Sequence, residues 1–269
     1  MSTASVTVNA STHATARSWL AYRRYLPPLV IVAIWQAGSS LGLIPARTLA
    51  SPLTIVGTFC DLLVSGELPR HLLVSLGRVA GGLSIGIVLG TALSLIAGLS
   101  RRGEDAIDAT MQMLRTLPFL ALVPLFILWF GIGETPKVAL VALGTTFPIY
   151  LTLFAGIRGV DAKLVEAGST LGLNRRELVR HIVLPGALPS ALVGLRYALG
   201  VAWLSLVVAE QINAESGIGY LVMTARDFLR TDIILVGLVV YAALGLSADQ
   251  VVRALERRVL AWRPSFVKE

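Results

Sequence analysis

Several runs of about 16–24 residues, nearly free of charge, constrain this chain more than any other feature. The clearest is residues 75–98, SLGRVAGGLSIGIVLGTALSLIAG. A helix needs roughly 20 apolar residues to cross the hydrocarbon of a bilayer. Inside that hydrocarbon, backbone N–H and C=O groups must pair within the segment, so such runs are read as helices. Further runs are expected at 28–44, 114–132, 137–157, 187–209 and 233–248, the first and last being short or broken by polar residues. Residues 45–74 are mixed, with turn signals at Pro45, Ser51-Pro52 and Gly66, and predict a short amphipathic helix over 52–65.

The expected fold is therefore all-α and integral to the membrane, with six transmembrane helices. Composition agrees: 55% of the 269 residues are hydrophobic and 14% charged, against roughly a quarter charged in soluble domains. Mean hydropathy is +0.76. Residues 1–25 are small and polar, then basic, without the apolar core of a signal peptide, and are read as an irregular cytoplasmic tail. The membrane domain is placed at 26–258 and a second tail at 259–269. The single cysteine, Cys60, excludes an intrachain disulfide. His13, His71 and His181 are dispersed, so neither a metal site nor a catalytic cluster is predicted.

Charge placement sets the expected orientation. With the N-terminus inside, sixteen of the 23 Lys and Arg residues fall on the cytoplasmic side and six outside, with Arg196 near the start of a run. That bias favours cytoplasmic N- and C-termini. It also accounts for the net charge of +7 without nucleic acid as a partner.

Within residues 75–98, Gly82, Gly86, Gly90, Ser94 and Gly98 recur every four positions and leave one helix stripe almost without side chains. Close helix packing exploits such stripes in lipid, where hydrophobicity does not drive helices together. Packing within the chain and a seam between two copies are both open. Pro118, Pro124 and Pro148 each remove a donor and bend their helices, either as hinges or as ordinary membrane prolines.

One long polar stretch interrupts the apolar pattern, in a loop spanning 158–190. Asp161 is placed to cap a short helix carrying Leu164, Ala167, Gly168 and Leu171 along one face. Gly172 ends it. Asn174 and Glu177 have capping-box spacing for a second helix with Leu178 and Ile182 on its apolar edge. Pro185 and Pro189 are expected to set re-entry into the membrane. So ordered a loop suits docking to a protein, although Arg175, Arg176 and Arg180 also suit anionic headgroups of membrane lipid.

Glu166-Ala167-Gly168, three residues, Gly172, nine residues, then Ile182-Val183-Leu184-Pro185 resembles the EAA loop of binding-protein-dependent ABC importer permeases, EAA-x3-G-x9-I-x-LP. Gly168 stands where Ala is commonest. The likeness extends over about residues 28–263, and segments such as VALGTTFPIYLTLFAGIR and VVAEQINAESGIGYLVMTAR are similar to the sulfonate/taurine/nitrate branch. The resemblance implies a type I (MetI-like) permease bundle in a bacterial cytoplasmic membrane, working as a homodimer with two ATPase subunits and a periplasmic or tethered binding protein. Aliphatic sulfonate is the favoured cargo, with taurine or nitrate behind it. It further implies that the loop couples to the ATPase. Glu166 would contact it, Ala167 and Gly168 would permit close approach, Gly172 would make the turn, and Ile182, Leu184 and Pro185 complete the motif, with Leu184-Pro185 holding the loop to the bundle.

The chain contains no G-x-x-x-x-G-K-[ST] loop, so ATP and Mg²⁺ are expected on the partner and no cofactor on this chain. A secondary transporter is the main rival, and usually carries ionisable groups within its spans. Here Arg78, Arg196 and Glu210 are read as lying near span ends. Thr146, Ser205 and Glu210 are candidate pathway groups, although Thr and Ser commonly bond the carbonyl one turn back. A carboxylate such as Glu210 would repel an anionic cargo, which leaves gating or contact with the binding protein.

Overall fold

The computed structural model describes residues 11–262, and every ordered element among them is helical. In chain order these are α1 (Ser11–Ser40), α2 (Pro52–Val64), α3 (Glu67–Leu99), α4 (Arg101–Leu114), α5 (Phe119–Phe130), α6 (Glu134–Arg158), α7 (Ala162–Thr170), α8 (Arg175–Leu178), α9 (Leu184–Asn213), α10 (Ile218–Asp227) and α11 (Thr231–Val259). A π-turn, Val179–Val183, joins α8 to α9.

The centre of the bundle is α6. Half of its most apolar stretch is buried, against 17% for α11. The small-residue stripe of α3 lies along it: a Cβ at Gly82 would meet Val141, at Gly86 Thr145, at Gly90 Ile149 and at Gly98 Ile157. Ser94 fills the remaining position, and its hydroxyl donates to the Gly90 and Tyr150 carbonyls (2.5 and 3.1 Å). The stripe is thus spent inside one chain, and any seam between copies uses another surface. A Cβ at Gly86 would stand 2.8 Å from the Ala142 carbonyl, which is backbone and cannot rotate away. Gly86→Val is therefore expected to lower accumulation in the membrane severalfold, as overpacking costs typically 1–3 kcal/mol. Gly77→Val, which meets nothing within 4 Å, should accumulate normally; quantitative immunoblotting of membranes compares the two.

These contacts also fix the topology. Positions rise together along α3 and α6, so the two helices are parallel. The chain must cross back between them, and α4 and α5 do this as a pair bent by 103°. A Cβ at Gly156 would meet Ser190, and one at Gly144 would meet Ser205, so α9 runs antiparallel to α6. Arg196, in the first half of α9, pairs with Asp249 and Glu256 late in α11 (3.3 and 2.7 Å), while Gly237, early in α11, packs on Val222 of α10 beside the end of α9, so α11 runs antiparallel to α9. The apolar side chains left outside, among them Val88, Leu128, Leu204 and Leu246, form a skin suited to lipid.

Several expectations change. Among the described residues, four helices are individually long and apolar enough to cross a membrane, and five passes result when the bent pair counts as one. The expected first span contributes an apolar part of only Leu26–Ser40, about 22 Å at 1.5 Å per residue. The third run is not one helix over 114–132. Pro118 has no N–H and stands at the N-cap of α5, so α4 has ended before it. Helix also begins at Ser11, inside the stretch read as a tail, and residues 1–10 and 263–269 lie outside those described. Charged residues lengthen α11 past the expected end, with Arg253 donating to Asp249 (2.6 Å) one turn earlier. The helix α10 is not foreseen at all.

Candidate functional site

Two polar assemblies lie at opposite ends of the bundle. The first is the 158–190 loop. Asp161 Oδ1 accepts from the Lys163 N–H (2.9 Å) and starts α7. The helix ends in a Schellman turn: the Gly172 N–H donates to the Ser169 carbonyl (3.0 Å) and the Leu173 N–H to the Gly168 carbonyl (3.1 Å). Gly172 sits at φ +85°, where a Cβ would clash with the backbone, so glycine is the fitting residue. Asn174 Oδ1 accepts from the Arg176 and Glu177 N–H groups, and Glu177 Oε2 accepts from the Asn174 N–H (2.8 Å), which completes the capping box.

The motif residues divide by direction. Gly168 is buried beneath Ile182 and Leu178, whose side-chain ends would stand 2.5 and 2.8 Å from a Cβ there. Those ends can rotate, so the position admits Ala as well as Gly. Glu166 and Ala167 are exposed, as are Leu164 (57%) and Leu171 (82%). Leu184 is 38% exposed and Pro185 half-buried. The loop is tied to the bundle elsewhere. Arg175 Nη2 donates to the Leu99 carbonyl (3.0 Å), and Val183 packs on the core of Leu153, Ile157 and Ala187. Arg158 pairs with Glu104 and so fastens α4 to the same end.

Pro185 stands in the first turn of α9, where re-entry is expected, but that helix continues from the loop without a break. From Arg175 to Ile212 the chain is one apolar helical run of 38 residues. Pro185 lacks an N–H and its ring would press on the carbonyl four residues back. The π-turn widens the helix just before it, with the Leu184 N–H reaching the Val179 carbonyl. Pro189 sits inside α9.

The second assembly lies at the far end. Glu210 is 1% exposed and Arg78 4%. Glu210 accepts from Arg78 Nη1 (2.7 Å), Ser75 Oγ (2.8 and 3.0 Å) and the Gly219 N–H (2.8 Å). The Gly217 N–H donates to His71 Nδ1 (3.0 Å) and the Ile218 N–H to Ser75 Oγ (2.9 Å). The N-terminus of α10 thus points at a carboxylate, which its dipole favours. Gly217, at φ +113°, and Gly219 leave the space that the Glu210 side chain occupies. The outer edge of Arg78 holds Glu134: Nε to Oε2 2.5 Å, Nη2 to Oε1 2.6 Å. Lys137 Nζ reaches the same carboxylate at 3.3 Å.

Of the three candidate pathway groups, Glu210 is enclosed and fully paired, not placed where an external protein could touch it. Ser205 is 1% exposed and packs on Gly144 of α6. Thr146 alone lines a cavity of about 770 Å³ between α3, the α4–α5 pair and α6. Its hydroxyl donates to the Ala142 carbonyl (2.7 Å), one turn back. Arg196 is not near a span end but twelve residues into α9. The Arg78–Glu210 pairing is not foreseen in sequence, although His71, Ser75 and Arg78, at i, i+4 and i+7, mark one polar helix face.

A solved amino acid ABC transporter aligns with a TM-score of 0.62 at 18% identity, covering 76% of this chain and 96% of that one. At that identity the likeness concerns the fold. Two proteins named aliphatic sulfonates transport permease protein SsuC match more closely in sequence. The one from Bacillus subtilis (strain 168) is 48% identical, over 90% of this chain and 87% of its own length. The one from Escherichia coli (strain K12) is 53% identical, over 89% and 91%. The taurine transport system permease protein TauC of the latter organism is 36% identical, over 87% and 86%. Residues 82–261, from the small-residue stripe through the loop to the end of α11, match the family model described as binding-protein-dependent transport system inner membrane component, and the chain belongs to that family.

Proposed function

We propose that this chain is the membrane permease of an ATP-driven importer of aliphatic sulfonates. Two copies work with two ATPase subunits and a periplasmic or tethered binding protein, in a cytoplasmic membrane. The observation that carries the cargo is the gap in identity: 48% and 53% to the two proteins named for aliphatic sulfonates, against 36% to the one named for taurine. The family membership supports the partners. ATP and Mg²⁺ belong to the ATPase subunit, since this chain has no phosphate-binding glycine loop, and the permease itself does no chemistry.

The 158–190 loop is the docking element for the ATPase. Its exposed face, Glu166, Ala167, Leu164 and Leu171, mixes one charge with uncovered apolar side chains, as a protein socket requires. The loop end of the bundle faces the cytoplasm, and so does the end of α11. An N-terminus inside follows if the apolar part of α1 completes a sixth pass.

Deleting the gene should abolish growth on alkanesulfonate as sole sulfur source while growth on sulfate continues. Normal growth on alkanesulfonate in a strain without another importer would overturn the cargo. Failure on taurine alone would assign the chain to that substrate instead.

A further inference from the structure

The large cavity and the ion cluster share one residue. Glu134 is the sole charged group among the side chains lining the cavity; the wall is otherwise apolar, with Ile85, Leu89, Phe126, Leu143 and Phe147, and Thr135 and Thr146 as its hydroxyls. From Glu134 to Thr146 the cavity follows α6 for about 18 Å at 1.5 Å per residue, from the far end toward the middle of the membrane. Behind Glu134, and not themselves on the cavity wall, stand two buried cations, with side-chain exposures of 3% for Arg78 and 6% for Lys137. Buried cations require counter-charge. Glu210 supplies one carboxylate and is 0% exposed in its side chain. Glu134 supplies the other and is 61% exposed.

That asymmetry divides the guanidinium of Arg78 into an edge held by a buried carboxylate and an edge held by an exposed one. Nη1 is held inward by Glu210 (2.7 Å) and the Ser216 carbonyl (2.6 Å). Nε and Nη2 present two parallel N–H groups, which Glu134 takes as a fork, and Nη2 also reaches Ser216 Oγ (3.3 Å). Two oxygens of another oxyanion fit the same fork. With Glu134 in place the four charges of Arg78, Lys137, Glu134 and Glu210 cancel. With Glu134 turned out to solvent, two positive charges face one negative, and one anion restores the balance.

We propose that this is a binding site for an amphiphilic organic monoanion, whose head displaces the Glu134 carboxylate from Arg78 and Lys137 and whose tail lies along the apolar wall. An alkanesulfonate has both parts, and in that choice of head group the proposal rests on the cargo reading above. Glu134 then acts as an internal stand-in for the cargo. A carboxylate beside the pathway does not repel the anion in this arrangement, because it is the group exchanged.

The test uses the permease with its ATPase subunits in nanodiscs of zwitterionic lipid, without binding protein, and radiolabelled octanesulfonate as probe. Saturable binding is expected to strengthen about fourfold for each methylene added to the tail. Glu134→Gln removes the competing charge at an exposed side chain and should tighten binding several-fold. Lys137→Met should weaken it about tenfold, and Lys137→Arg should restore most of that, with melting of each variant recorded alongside. Equal competition by octanol or by octyltrimethylammonium would overturn the site, as would binding indifferent to both residues. An importer that moves no alkanesulfonate, yet binds octanesulfonate in this Glu134- and Lys137-dependent way, would sink the cargo reading and leave the site standing. Transport with indifferent binding would do the reverse.

Discussion

Glu210→Ala is expected to destabilise the purified permease–ATPase complex by about 3–5 kcal/mol, the usual cost of removing one partner from a buried ion pair. The variant leaves Arg78 inside the bundle with only Glu134 as counter-ion. It also strips the acceptor from Ser75 Oγ and from the Gly219 N–H, and the N-terminus of α10 loses its anchor. Arg78→Met should cost a similar amount through the opposite charge. A double variant, Arg78→Met with Glu210→Leu, removes both charges and should be more stable than either single change. Thermal melting of the detergent-solubilised complex reads all three. Singles that melt like the parent would show that the pair carries no structural weight.

Glu166→Lys is expected to act in the opposite way, abolishing function while sparing the fold. Glu166 is exposed, and its side chain makes no hydrogen bond or ion pair within the described residues; only its carbonyl is engaged, by Thr170 Oγ1 (3.0 Å). A change at such a surface position usually shifts stability by no more than about 0.5 kcal/mol. Charge reversal on a docking face places like against like and costs affinity for the partner. The permease should accumulate and melt as before, while ATP hydrolysis stimulated by loaded binding protein, and transport, fall by at least tenfold. Undiminished coupled transport in proteoliposomes would remove Glu166 from the interface.

Local rules made much of this molecule legible. The amphipathic helix expected over 52–65 appears as α2, with Ser51 as its N-cap. The long apolar runs appear as α3, α6, α9 and α11, and the loop as helix, glycine turn and capped helix. Each of these depends on residues within a few positions of one another. What was illegible depends on residues far apart or on how two rules compete. Arg78 and Glu210 are 132 positions apart, and no local signal pairs them. Pro118 breaks its helix whereas Pro185 is absorbed by a π-turn, and proline spacing alone does not distinguish the two. The scarcity of ionisable groups within spans, weighed against a secondary transporter, is also less than it looked, because Arg78 and Glu210 are buried and Arg196 is mid-helix. Family membership, and not that scarcity, sets the rival aside.

The unbroken passage from α8 through the π-turn into α9 makes the molecule a lever. Arg175, in the 158–190 loop, and Glu210, in the far network, belong to one rod with a contour of about 50 Å. A push on the loop therefore needs no relay of side chains to be felt across the membrane. Each degree of tilt about the loop end moves the Glu210 end by about 0.9 Å at that rise per residue. Two or three degrees would part Glu210 from its partners or carry Arg78 with it. The stroke of the machine is then set by an angle, and its stop by the strength with which three donors hold one carboxylate.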